Sequence, residues 1–437
     1  MRVSTVSPEE VLNLLTQLVN KSFVVMDEKG DETRYRLPET VRQYARDKLL
    51  ESGEGAGLRG SHLEWFLGLA EQGESGIWGS DQAAWLERLE AEHDNLRAAL
   101  EWSKTGENVE KGLRLGGALR WFWFIHGHLS EGRGWLEGML TEGRDASASM
   151  RAKALNAAGG LAHGQADYGR TKALCEESLA LFREVEDKRG IAESIRLLGI
   201  TARSQGDYGR AVALLEESLA LYRELKDKWG IAWSIKDLGI VALLQGNNDR
   251  TAVLLEESLA LHREMRDRWG SSLALGNLGI VAFHQGDYER ARVIFEENLA
   301  LHREMEDKYG ISTSLHFLGH VVLRQGDYER ATALFEESLS LAREMGSKEW
   351  MAHCLEGLAG VAEAKGQQER AARLYGAAEA LSETIGLAMP SFLRVDYDRS
   401  LAAVRAGLGE EAFKAAWAEG RKMTMEEAVE EALSTNP

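Results

Sequence analysis

One feature constrains this chain more than any other: from about Ala157 to Lys365 its residues recur at a period of 40, without an insertion. Gly206-Asp207-Tyr208, Gly286-Asp287-Tyr288 and Gly326-Asp327-Tyr328 mark the register. Gly246-Asn247-Asn248 and Ala166-Asp167-Tyr168 fill the other places. Leu-Gly pairs at Gly199, Gly239, Gly279 and Gly319 keep the same spacing, as does Glu-Glu-Ser-Leu at Glu176, Glu216, Glu256 and Glu336. A period this strict means one supersecondary unit stacked on copies of itself.

Each unit reads as two helices around the Gly-Asp-Tyr turn. Ile191, Ile195, Leu198 and Ala202 recur at steps of three and four, as do Ala211, Leu214, Leu215, Leu219 and Tyr222 after the turn. Gly206 is expected to supply a positive φ that ends the first helix, and Asp207 to cap the second. Gly199 falls mid-helix, where glycine costs about 1 kcal/mol against alanine. Close approach of the partner helix is the expected reason, because a side chain there would overpack the hairpin.

Composition closes off other classes. The chain has 437 residues, 44% apolar and 28% charged, with four prolines, so it carries enough apolar surface to fold. Cys175 and Cys354 are too few for a disulfide scaffold and fit a reducing, cytoplasmic setting. No run of about 18 apolar residues suggests a membrane span. Its 52 basic against 70 acidic residues give a net charge of -18, which repels nucleic acid and anionic lipid.

The Leu-Gly pair, the Gly-Asp-Tyr turn, small Ala211 and bulky Leu215 resemble the tetratricopeptide repeat, in units longer than that family's usual length. Tyr208, Tyr288 and Tyr328 with Gly206, Gly246, Gly286 and Gly326 form the turn signature. Five close copies start near Met150, Gly190, Gly230, Gly270 and Gly310. Degenerate copies flank them at 109–140, turning at Gly127, and at 350–384. The fold expected is all-α: a right-handed superhelix of stacked helical hairpins, with a small N-terminal β-hairpin.

The ends read differently. Ser7-Pro8-Glu9-Glu10 is a capping box opening a helix to about Asn20. Two β-prone runs follow, Ser22 to Asp27 and Thr33 to Leu37, then a helix from Glu39 to about Leu50. The wording of 15–22 and 34–45 resembles the winged-helix segment of bacterial STAND-class signalling ATPases, many of them LuxR- or AfsR-type transcriptional regulators. Stretches 85–100 and 415–427 resemble that group's linker and tail. The expected organisation is a truncated winged-helix module at 1–52, a helical linker at 53–105, about seven repeats at 106–388 and a helical cap at 389–437. Thr424 and Glu427 should open the last helix as a capping box. The resemblance implies a nucleotide-binding domain upstream, which this sequence does not carry, and a winged helix acting as a relay. That segment has an acidic wing and no basic residue in its first helix, so direct nucleic-acid contact is not expected.

Each chemistry-bearing motif also has a packing explanation. Gly164 to Thr171 mimics a phosphate-binding loop, but helical flanks on both sides fit the repeat turn. His316 and His320 lie four apart with His284 one unit away, a spacing short of a zinc set, so neither a metal nor any other cofactor is expected. His262 and His302 share one repeat position with Phe182 and Tyr222, which predicts packing at a half-exposed site. Catalysis is not indicated, and the Glu-Glu pairs read as solvated faces.

The positions that vary between otherwise fixed units are the ones free to specialise. They hold Arg196, Arg203, Trp233, Lys236, Asn277, Phe283, His284, His316, Phe317, His320 and Arg324, all on first helices. In tetratricopeptide proteins such positions face the groove, so these residues are the candidate binding set. Aromatic and basic side chains together suit a protein or peptide partner, or a small anionic ligand. The expected function is a non-enzymatic sensing arm of a STAND-like regulator. The alternative is a constitutive scaffold that binds proteins without switching.

Overall fold

The computed structural model describes residues 8–29, 32–79, 81–104, 108–385 and 391–434. These residues form two compact units: Met1–Ile77 with Ala84–Glu186, and Trp78–Ala83 with Asp187–Pro437.

In the first unit, α1 (Pro8–Asn20) leads into an antiparallel hairpin of β1 (Val25–Lys29) and β2 (Glu32–Arg36), with Met26 opposite Tyr35. Ser7 lies outside the described residues. The first strand starts three residues later than the β-prone run suggests, because Lys21 and Ser22 extend the turn after α1, with Ser22 at φ 58°. Next come α2 (Glu39–Glu51), α3 (Gly55–Gly76), α4 (Gln82–Ala91) and α5 (His93–Ser103). Arg34 ties the hairpin to α4 and α5 through Ala91 O at 2.7 Å and Glu92 Oε1 at 2.8 Å. The first degenerate repeat is a broken helix, α6 (Val109–Ala118) and α7 (Arg120–Ile125), followed by α8 (Leu129–Glu142). Its turn glycine, Gly127, has φ +80°. A regular hairpin, α9 (Ala148–Gly164) and α10 (Tyr168–Glu184), completes the unit. The loop resembling a phosphate cradle is the turn between these two helices, and Asp167 caps α10 through Arg170 N.

The second unit repeats that hairpin. First helices are α11 (Lys188–Ser204), α13 (Lys228–Leu244), α15 (Arg268–His284), α17 (Lys308–Arg324) and α19 (Lys348–Ala364). They alternate with second helices α12 (Tyr208–Leu225), α14 (Asn248–Glu264), α16 (Tyr288–Glu304), α18 (Tyr328–Glu344) and α20 (Gln368–Ile385). Three helices, α21 (Ser391–Leu408), α22 (Glu410–Gly420) and α23 (Met425–Leu433), follow as the cap, and the Thr424/Glu427 capping box forms.

Local chemistry explains the regularity. Gly206, Gly246, Gly286 and Gly326 all have positive φ, between +76° and +85°, ending each first helix. Asp207, Asn247, Asp287 and Asp327 then accept a hydrogen bond from the backbone N–H three residues on. Asp287→Ala should therefore cost about 1 kcal/mol, measured by urea denaturation, with Asp287→Asn near wild type. The units begin two residues earlier than the glycines suggest. Asp187, Asp227, Asp267 and Asp307 cap the first helices, and Gly190, Gly230, Gly270 and Gly310 sit one turn inside.

Two close approaches lock the stack. Within a hairpin, a Cβ on Gly279 would lie 2.6 Å from the Phe295 ring, and one on Gly319 would lie 2.8 Å from Phe335. Between hairpins, the ring at one repeat position fills the space above the next unit's glycine. A Cβ on Gly230, Gly270 or Gly310 would lie 2.1, 2.2 or 2.0 Å from Tyr222, His262 or His302. These histidines are buried rather than half-exposed, and each ring places Nδ1 2.9 Å from the cap Asp267 or Asp307. At the last such junction the sizes exchange: Ala342 replaces the ring and Trp350 replaces the glycine, both buried.

The Glu-Glu-Ser-Leu signature has two roles that composition alone does not reveal. Its serine is buried and donates to a first-helix carbonyl, Ser218 to Ala192 O at 2.8 Å and Ser258 to Ala232 O at 2.9 Å. Exposed glutamates of the signature tie neighbouring second helices together, as in Glu256–Arg290 at 2.7 Å and Glu337–Arg303 at 3.0 Å, and half-buried Glu296 of the Glu-Glu-Asn-Leu copy does the same with Arg330 at 2.8 Å. Cys175 and Cys354 are buried free thiols, and burial pushes the Cys354 thiol up to about 12.

Candidate functional site

The variable positions divide between two places in the second unit. Phe283, His284, His316, Phe317, His320 and Arg324 converge on one cleft of about 270 Å³. It lies across α15, α17 and α19, with Tyr375 of α20 behind and Tyr397 and Ser400 of α21 along its edge. The face is helical arithmetic: residues four and seven or eight apart share one side of a helix. His316, His320, Leu323 and Arg324 follow that rule on α17, and Glu356, Gly360, Glu363 and Ala364 repeat it one period later on α19.

The cleft floor is aromatic. Phe317 stacks on Phe295 at 5.4 Å with 7° between the rings, and Tyr375 meets Tyr397 edge-on at 5.3 Å. His316 is 2% exposed and packs against Phe335, Trp350 and His353. Its Nδ1 is buried without a hydrogen-bond partner. Burial holds its imidazole well below the usual histidine range, and His320 and His353 push the same way. The unfolded chain therefore takes up a proton near pH 6.5 that the folded protein resists, so His316 makes stability fall as pH drops below that value. His316→Gln should flatten the slope, which reaches about 1.4 kcal/mol per pH unit for one proton, in urea titrations between neutral and mildly acidic pH. An unchanged slope would refute this assignment.

Arg324 and Glu356 with Glu363 give the rim both signs of charge. The two glutamates and Gly360 escaped the sequence reading because they belong to the degenerate repeat. Carrying the register one further period, from His316 to Glu356 and from Leu323 to Glu363, would have found them. Tyr397 and Ser400 lie in the cap, where the period offers no guide.

Four of the remaining five candidates, Arg196, Arg203, Trp233 and Lys236, build a second, closed constellation. Arg196, Lys236 and Asp237 are 3%, 6% and 2% exposed. Arg196 Nη1 lies 2.7 Å from Asp237 Oδ2, Lys236 Nζ 3.2 Å from Oδ1, and Arg203 3.7 Å from the same oxygen. Burial disfavours the Asp237 carboxylate, but Lys236, Arg196 and Arg203 together bring it down to about 2. Burial, with Arg196 and Arg203 nearby, lowers Lys236 to about 8 despite Asp237. Trp233 is buried beside Trp229 and Trp269, and Trp78 stands against all three at 5.1 to 6.3 Å. Lys236 sits over the Trp233 ring at 4.0 Å. These cations are already engaged. Asn277 is half-buried and donates to Leu273 O at 2.7 Å within its own helix.

Among the described residues, no helix is long and apolar enough to cross a membrane. The tetratricopeptide repeat family matches residues 150–224, 270–344 and 310–384. HTH-type transcriptional regulators of Mycobacterium bovis and Mycobacterium tuberculosis are 36% identical over 204 residues, 45% of this chain. The chain matches only 23% of the length of those relatives. A Rap protein solved with Competence and Sporulation Factor has a TM-score of 0.55 at 14% identity, over 86% of this chain and 99% of its own. The apo quorum sensor NprR from B. thuringiensis has a TM-score of 0.53 at 12% identity, over 86% of this chain and 98% of its own. The matched segments of this chain are tetratricopeptide repeats, and its stacked hairpins form a solenoid of that fold.

Proposed function

We propose that this chain is the ligand-sensing arm of a STAND-like transcriptional regulator, and that its guest is a short peptide segment seated in the cleft across α15, α17 and α19. The observation that carries the reading is convergence: six positions that vary while their repeats stay fixed meet at one cavity, whose wall includes the unpartnered His316 Nδ1. The mixed rim suits a peptide, since Arg324 can pair a carboxylate while Glu356 and Glu363 face an amine or backbone N–H groups. Sequence similarity to HTH-type regulators supports the regulatory setting. The likeness of fold to a protein solved with Competence and Sporulation Factor supports a guest on this kind of array. On this reading the helix–hairpin–helix at the N-terminus is a winged-helix relay, and occupancy acts by binding one of two states more tightly.

The test uses a filled cleft. A Cβ on Gly360 meets ordinary contacts, Leu323 at 3.4 Å and Tyr375 at 3.6 Å, so Gly360→Leu should fold while occupying the cavity. Peptides selected from a random displayed library against the wild-type chain should bind Gly360→Leu at least about tenfold more weakly, a loss of about 1.4 kcal/mol, with the melting transition kept. Equal binding to both proteins would overturn the proposal. Altered amide exchange in α1 and the hairpin on binding supports switching; unchanged exchange there favours the scaffold.

A further inference from the structure

A second cluster lies in the first unit, away from the cleft. Glu90 near the end of α4, His93 at the start of α5 and His128 at the start of α8 bring one ligand atom each within 4.8 Å of one another. Glu90 Oε2 lies 3.0 Å from His128 Nε2 and 3.3 Å from His126 Nδ1, so one carboxylate oxygen collects two imidazole nitrogens. The rings of His93 and His128 are 4.3 Å apart, and those of His126 and His128 are near parallel. Gly127, at φ +80°, turns the chain so that both neighbours face the same side.

We propose that Glu90, His93 and His128 form a binding site for a divalent transition metal of the zinc class, clipping α4 and α5 to the start of α8, with His126 beside the Glu90 carboxylate. Two imidazoles and one carboxylate are a donor set for zinc, with a fourth position open to water, rather than for magnesium or calcium, which take oxygen ligands. Tetrahedral zinc with bonds of about 2.0–2.1 Å separates its donors by roughly 3.3 Å, close to the Glu90–His128 spacing. The site is also prepared for a cation. Glu131 Oε1 lies 3.3 Å from His93 Nε2, an atom that is buried without a well-formed hydrogen bond. Arg97 grips both oxygens of that carboxylate, at 2.7 and 2.6 Å, so Glu131 is a fixed outer support for the ring. Phe122 packs against His93 at 5.2 Å and His128 at 5.6 Å and forms an apolar wall. Glu90 is exposed, which gives the ion a path in.

The test uses the full chain without a polyhistidine tag, stripped with chelator and titrated with zinc against a chromophoric competitor at neutral pH. One equivalent should bind, raise the melting temperature and be released by chelator, and cobalt should give the intense visible bands of a tetrahedral ion. Glu90→Gln, a surface change that spares folding, should weaken zinc at least about tenfold, and His128→Gln more. Magnesium and calcium should leave melting unchanged. Failure to bind one equivalent, or affinity retained in the Glu90→Gln/His128→Gln double variant, would overturn the proposal.

Discussion

Gly310→Trp should cost about 3 kcal/mol or more, and adding His302→Ala should recover most of that loss. The first change drives an indole into space held by His302, where even a Cβ would lie 2.0 Å from Nδ1. A packed helix interface relieves such a clash only by moving apart. The second change empties the space, and the protein already uses that exchanged pair at Ala342 and Trp350. Recovery should stop about 1 kcal/mol short, because His302→Ala also removes the imidazole that lies 2.9 Å from the Asp307 carboxylate. Urea denaturation of the wild type, both single variants and the double variant closes the cycle, and the two changes should couple with a favourable sign. Additive losses would mean that the ring and the glycine do not share one space.

Asp237→Asn should be the other severe change, at about 3–5 kcal/mol. The carboxylate is the shared anion for buried Arg196 and Lys236, with Arg203 close by. Removing its charge leaves cations in a low-dielectric interior without compensation, and such breakage is far costlier than deleting the whole group. Replacing Arg196, Lys236 and Asp237 together by leucine should therefore be milder than Asp237→Asn alone. Trp229 and Trp233 bear part of the charge, since Arg196 lies 5.9 and 5.6 Å from their rings. By contrast, Arg324→Ala at the exposed cleft rim should stay within about 0.5 kcal/mol of wild type. Thermal and urea denaturation rank the variants, and a mild Asp237→Asn would show that water reaches this cluster.

These two constellations also mark where the sequence stops being legible. Period and helix faces follow from backbone chemistry that repeats, so the hairpins, the turn glycines and the caps at Asp207 and Asp287 could be read directly. Gly310 and its equivalents misled about unit boundaries, because a glycine beside a helix start looks like punctuation while its reason is a ring in the preceding hairpin. The turns between hairpins were hidden for the opposite reason: Lys226, Arg266 and Glu306 adopt positive φ where no glycine announces it. For the variable positions, the sequence shows that they differ but not what they meet. His316 and Arg324 line the cleft, whereas Arg196 and Lys236, at equivalent or neighbouring repeat positions, are consumed by Asp237. That distinction depends on a single acidic residue, one unit away from Arg196 and next to Lys236. The site at Glu90, His93 and His128 is assembled by tertiary folding of non-repeating segments, so no period could point to it.

Amide hydrogen exchange of the wild-type chain and Gly360→Leu, each with and without a library-selected peptide, tests the cleft most directly. Slowed exchange in the wild type is expected to be strongest at the ends of α15, α17 and α19 that line the cavity and in α21, with no change anywhere in Gly360→Leu. Protection centred on the second helices α14, α16 and α18, or protection equal in both proteins, would contradict it.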